Sequence, residues 1–223
     1  MAGAPVRFLF DYISHNAYLA WTQIGPLAER YGRAVEPEAV LFAGLLNAHG
    51  QLGPAEVPPK ARWMMLDVAR KGRRLGVPIA PPKTHPFPPL LALRVTHAAA
   101  AGAPRRKLID GLFRAAWGES RDVSDPAEVS RIAQVAGLDG ERLVEEAATD
   151  AVKAQLRDAT ERALGEGVFG VPTMLVDGEL FWGFDDFAHL ELALAGRDPL
   201  QPGDRERFTR YSASARRRRP EEK

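Results

Sequence analysis

At 223 residues, 45% hydrophobic and 26% charged, the chain is long enough for one large core or for a domain with a sizeable insertion, and its composition is that of an ordinary soluble globular protein. It contains no cysteine, which excludes disulfides, a dithiol redox couple, a cysteine nucleophile and a thiolate metal site. The formal net charge of +1 is unevenly spread: after Pro202 eight basic residues face four acidic ones, so the tail carries +4 and the body −3. The first thirty residues lack the basic, apolar and small-residue order of a signal peptide, and no apolar run approaches a membrane span. A cytoplasmic protein is the expectation.

Residues 6–12 place β-branched and aromatic side chains in one short run, the pattern of a buried strand. A polar junction follows, with Ser14 at its end. A hydroxyl at the mouth of a helix is first of all a cap for the unpaired amides of the first turn. A strand-to-helix corner can also hold an anion or a thiolate at the positive end of the helix dipole, with Ser14 as the donor, and on local pattern alone both readings stand. Residues 17–31 read as a helix through Tyr18, Leu19, Ile24, Leu27 and Ala28, with a kink predicted at Gly25-Pro26 and a stop at Gly32. Residues 34–41 read as a second strand, and Pro37 favours an edge position for it. This β-α-β order asks for parallel pairing.

From Ala43 the pattern changes. Residues 47–58 read as a loop, after which helices dominate for about a hundred residues. The predicted segments are 59–75, opened by proline and closed by Gly76, then 90–101, 104–117, 126–136 and 140–147. Six prolines make residues 78–89 an extended connector. Asp125 followed by Glu128 has the spacing of a capping box. A longer helix over 150–164 ends at Gly165, and strand character returns at 173–176 and 179–182 around Asp177-Gly178, a two-residue hairpin turn. A last helix spans 184–195, and beyond Pro202 the absence of apolar periodicity predicts a mobile tail. The order β-α-β, helical middle, α-β-β-α is that of an α/β thioredoxin-like domain with a large all-helical insertion. It assigns 1–44 and 150–200 to the discontinuous domain, 45–149 to the insertion and 201–223 to the basic tail.

Two stretches then act together: F-D-Y-I-S-H-N-A-Y-L-A over 10–20, and G-V-F-G-V-P-T-M-L-V-D-G-E-L-F-W-G-F-D over 167–185. With P-P-K-A-R-W-M-M-L-D-V-A-R-K-G-R-R-L-G-V-P over 58–78, they resemble the DsbA-like family that contains 2-hydroxychromene-2-carboxylate isomerase and the kappa-class glutathione transferases. The resemblance covers the chain apart from its tail. It implies a cis Val171-Pro172 bond whose valine backbone pairs with the cysteinyl part of bound glutathione, and it puts Ser14 where redox relatives carry their first active-site cysteine. The sulfur then comes from glutathione, with Ser14 donating a hydrogen bond to it. The thiolate adds to a conjugated carbon, the former double bond rotates and the thiol leaves; in naphthalene-degrading members this isomerises 2-hydroxychromene-2-carboxylate. Lys60 is implied as a holder of a substrate or glutathione carboxylate, and Asp185 as the partner of the γ-glutamyl end. Relatives commonly read S-P-x-S-Y where this chain has Ser14-His15-Asn16-Ala17-Tyr18, and they tend to carry a small polar residue at the position of Phe184, so one side-chain hydrogen bond to glutathione is lost. A homodimer acting on a small molecule is implied, with no nucleic-acid or membrane partner.

Simpler readings stand beside these. His15 reads as a polar surface residue of the loop ahead of a base beside Ser14; with Asn16 and Trp63 it is a candidate for the substrate pocket. Trp63 and Met64 fit core as well as pocket, Lys60 fits a solvated charge, and Asp67 with Arg70 fits an i,i+3 pair. His49, His85, His97 and His189 show no ligand spacing, so no catalytic metal is predicted. Arg216 to Arg219 read as a solvated charge run. The functional readings, in order, are a glutathione-dependent isomerase of a conjugated aromatic acid, a kappa-like glutathione transferase, and a non-catalytic thioredoxin-fold binding protein.

Overall fold

The computed structural model describes residues 3–210. Its centre is β1 (Val6–Phe10), which pairs in parallel with β2 (Val35–Ala39) and antiparallel with β3 (Thr173–Val176); β3 in turn pairs with β4 (Glu179–Trp182). The sheet order is β2-β1-β3-β4. Strand alternation divides β1 between two cores. Val6, Phe8 and Phe10 face α1 (His15–Arg30) and the helical block, while Leu9 packs with Val40, Leu45, Ala159, Ala163, Val168 and Val171 on the other face. β2 lies at the edge, where the missing amide of Pro37 costs no ladder bond. Between β3 and β4, Asp177 and Gly178 have φ of 50° and 86°, the two positive values of a tight hairpin turn.

Between β2 and β3 come α2 (Phe42–His49), α3 (Pro58–Leu75), α4 (Leu90–Ala98), α5 (Ala103–Phe113), α6 (Pro126–Val135), α7 (Gly140–Glu146) and α8 (Asp150–Gly165). An aromatic cluster joins this block to the sheet: the Phe113 ring lies 5.3 Å from that of Phe10 and 4.8 Å from that of Tyr12. Tyr12 is tied further, its hydroxyl 2.7 Å from Thr96 Oγ1 and its carbonyl accepting from Trp117 Nε1 at 2.7 Å.

Several local expectations change. Helix α2 takes in residues 42–46, for which no element is predicted, and runs into 47–49 of the predicted loop; its first amide, Phe42 N, is capped by the Asp11 carboxylate at 2.9 Å from outside the local sequence. Helix α1 begins two residues early and continues through Pro26. Helix α4 stops at Ala98, and α5 widens after Phe113 into a π turn over Arg114–Gly118. Asp125 caps α6 by accepting from Ala127 N at 3.0 Å, but Glu128 pairs with Arg121 and Arg131 and does not complete the box. After α9 (Phe187–Leu194), part of the supposed mobile tail forms α10 (Asp204–Thr209), where Arg205 pairs with Asp198 and Glu179; Arg216 to Arg219 lie outside the described residues.

Gly140 opens α7 where a Cβ would run into the Ser130 backbone carbonyl of α6, whereas a Cβ on Gly165 meets nothing. Gly140→Ala is expected to lower unfolding free energy by about 1–3 kcal/mol through overpacking. Gly165→Ala is expected to be neutral or slightly stabilising; denaturant midpoints of the two variants check both.

Candidate active site

The corner between β1 and α1 is built from inside outward. Asp11, only 1% exposed, accepts from Ile13 N at 3.0 Å and from Phe42 N at 2.9 Å. Burial pushes its carboxyl up to about 7, and the two amides only partly offset that. The turn it closes delivers Ser14 in extended conformation to the N-cap of α1, where its Oγ accepts from Ala17 N at 3.1 Å. The same hydroxyl donates to the Val171 carbonyl at 3.4 Å, and the Val171-Pro172 peptide is cis. Val171 precedes β3, so its backbone lies outside the sheet ladder. Gly183 N donates to the Pro172 carbonyl at 2.8 Å, which brings the turn after β4, with Phe184 and Asp185, onto the cis-proline segment.

His15 differs from expectation. It is the first residue of α1, not a loop residue, and is 6% exposed, its ring 5.5 Å from that of Trp117. The ring of His85, in the proline-rich connector, also packs on Trp117, at 5.2 Å. Burial lowers the His15 imidazole to about 4, helped by His85 and Lys71 and opposed by Asp67 and Asp185. Burial likewise lowers His85. The His15 ring is therefore neutral at pH 7, and His85 is biased the same way. The Asn16 Oδ1 and His85 Nδ1 atoms are buried without a hydrogen-bond partner.

Lys71, which the sequence reading passed over, is the cation of this corner. Its Nζ lies 2.9 Å from Asp67 and 2.8 Å from Asp185, so the Asp67 partner is Lys71 at i,i+4 and not Arg70. Burial pushes the Lys71 ammonium down, the two carboxylates more than offset it, and the net shift is upward. The D-x-x-x-K spacing was the available signal. Lys60 stands exposed at the start of the same helix, about 16 Å away along its axis at 1.5 Å per residue, and forms no ion pair among the described residues. Trp63 is 57% exposed, so it is not core, whereas Met64 is buried. Phe184 is buried with its ring 5.0 Å from that of Phe187, and offers no polar group beside Asp185. Hollows of about 500 Å³ between α6 and α7 and about 310 Å³ beside Tyr18 and Pro78 touch none of Ser14, Val171 and Asp185. The convergence of a hydroxyl, a backbone outside the ladder and a charge row makes the Ser14 corner the stronger candidate.

A thioredoxin-type sheet entered through a helix-capping residue opposite a cis-proline defines the class, and residues 5–195 match the DSBA-like thioredoxin domain, so the chain belongs to that family. Among its relatives is the 2-hydroxychromene-2-carboxylate isomerase of Sphingobium xenophagum, 33% identical over 192 residues, covering 83% of this chain and 95% of that one. Glutathione S-transferase kappa 1 of Homo sapiens is 26% identical over 186 residues, covering 78% and 82%. A solved 2-hydroxychromene-2-carboxylate isomerase superposes with a TM-score of 0.77 at 26% identity, covering 93% of this chain and 99% of the other.

The His15 shift has a definite sign. A folded-state value below the ordinary 6.5 means that the fold favours the neutral ring, so its contribution is complete above about pH 6.5 and is lost as pH falls towards 4. The stability difference between wild type and His15→Gln is expected to shrink by roughly 1 kcal/mol per pH unit between pH 6.5 and 5. Urea unfolding of both proteins at the two pH values tests this; a constant difference would show that His15 is not held neutral.

Proposed function

We propose that the protein is a glutathione-dependent isomerase of a conjugated aromatic acid, with a reaction like that named for its 2-hydroxychromene-2-carboxylate isomerase relatives. The observation that carries the reading is the Ser14 hydroxyl, at the mouth of α1 and 3.4 Å from the carbonyl of the cis Val171-Pro172 turn, in a chain without cysteine. The residues present suit a tripeptide thiol. Asn16 Oδ1 is an orphaned buried acceptor in the same first turn, Val171 has backbone groups outside the ladder, and Asp185 is a well-exposed carboxylate for an ammonium group. Bound glutathione supplies a thiolate that adds reversibly to a conjugated carbon of the substrate, so that a double bond becomes a bond about which the acid can turn.

The chain's own contribution is electrostatic. The Ser14 proton is held by a long bond to Val171, which it can exchange for a stronger charge-assisted bond to sulfur. The unpaired amides and dipole of α1 add positive potential at the same point. His15, neutral and buried, supplies no cation there; the thiolate is favoured by a hydroxyl and a helix end. With Asn16 it forms a neutral wall for an aromatic acid, and Lys60 and Trp63 at the exposed start of α3 are the candidates for contact with the acid's outer end.

Calorimetric titration with glutathione, followed by isomerisation and thiol-conjugation assays, tests the reading. Wild type is expected to bind glutathione at millimolar concentration or better. Ser14→Ala is expected to reduce isomerisation by about 10²-fold, the scale of one lost oxyanion-type donor. The same change removes the helix cap and costs about 1 kcal/mol of stability, read separately by thermal melting. Absence of glutathione binding would remove both enzymatic readings, and isomerisation untouched by Ser14→Ala would remove the serine's role alone. Conjugate accumulating in place of isomer would select the kappa-like transferase, the reading favoured by the kappa relatives.

A further inference from the structure

Resting on the glutathione reading, we infer that Lys71 is the positioning residue of the thiol's amino-acid end: anchored by Asp67, it clamps Asp185 so that the aspartate's outer face meets the ligand's ammonium. The three side chains form a row, with Lys71 Nζ 2.9 Å from Asp67 Oδ2, 2.8 Å from Asp185 Oδ1 and 2.9 Å from Asp185 Oδ2. Exposure is graded along it. The side chains of Lys71 and Asp67 are 12% and 19% exposed, while that of Asp185 is 72% exposed. The row therefore has a buried foot and one open end. Its net charge is −1, so a single further cation at the open end completes an alternating sequence of charges.

The lysine itself is already occupied. Its Nζ lies within 3 Å of three carboxylate oxygens, two of them on Asp185, so its charge is already engaged by the two aspartates, whereas each Asp185 oxygen keeps acceptor capacity. Asp185 also sits in a one-turn 3₁₀ segment (Phe184–Asp186), and its neighbour Phe184 is turned into the core. Without Lys71 the carboxylate would have no side-chain tether among the described residues, and ligand binding would have to order it. Clamping it beforehand is preorganisation. Two effects oppose each other when Lys71 is removed: the ordering cost weakens binding, while the more negative site strengthens attraction for an ammonium. For an exposed carboxylate the Coulomb gain is screened, so the ordering cost prevails.

The test compares glutathione with an analogue carrying a glutaryl group in place of the γ-glutamyl group, and so lacking only the ammonium, by titration calorimetry. Lys71→Met and Lys71→Gln, each checked by thermal melting, are expected to bind glutathione about tenfold more weakly, the scale of one charge-assisted hydrogen bond held in place. Affinity for the analogue should change by less than about twofold, and Lys71→Arg, whose fork reaches both carboxylates, should recover most of the loss. Equal losses for both ligands, no loss, or tighter binding of glutathione by Lys71→Met would each overturn the clamp while leaving the glutathione reading intact. Wild type binding neither ligand would sink both.

Discussion

The corner depends on one buried carboxylate. Asp11 takes two backbone amides, one from the turn that delivers Ser14 and one from the start of α2, and so joins segments that no local pattern connects. Its neighbour Tyr12 binds outward to Thr96 and Trp117, which seats the helical block against the same turn. Because burial outweighs the two amide bonds, the fold favours the protonated acid. The stability it contributes is present below about pH 4 and lost as pH rises towards 7. His15, four residues on, carries the opposite sign over nearly the same interval, since its buried ring favours the neutral form. The two contributions oppose each other between about pH 4 and 6.5, so the corner's net dependence on acidity is smaller than either group alone dictates.

Local chemistry made much of the fold legible. The apolar run of β1, the edge proline of β2, the Asp177-Gly178 turn and the glycine after α3 each act within a few residues of where they stand, and each appears in the structure. What was misread depends on partners distant in sequence. Helix α2 had no predicted element and its end looked like loop because its cap is Asp11, and His15 looked like a surface residue because its cover is Trp117, supplied by the π turn after α5 within the inserted helices. The site shows the same division. The Ser14 cap and the cis-proline segment were evident as motifs, but which lysine of α3 meets Asp185 depends on how that helix packs against the turn after β4. The resemblance gave Lys60 a ligand carboxylate to hold and was silent on Lys71, three turns further along, which pairs with Asp185.

Phe184 shows how one departure rearranges its surroundings. A polar residue before Asp185 could face the ligand; phenylalanine instead joins Phe187 in the core and pins the 3₁₀ turn by packing. The turn gains an apolar anchor on one side and the Lys71 ion pair on the other, so the backbone carrying Asp185 is held by groups that need not touch a ligand.

On the proposed reading, the absence of cysteine explains the neutrality of His15. A resident thiolate beside His15 would favour an imidazolium, which would demand solvent or a counter-charge where the structure provides Trp117 and packing. A borrowed thiol removes that demand whenever it departs, and the site need only offer what costs nothing when empty. The Ser14 hydroxyl meets this condition because its proton has a resting acceptor in Val171, and so does the Ala17 amide of α1 because it already donates to Ser14 Oγ. A group that is satisfied in both states can stabilise transient negative charge without being left unpaired when the charge leaves, and a permanently protonated imidazole in the same buried position could not.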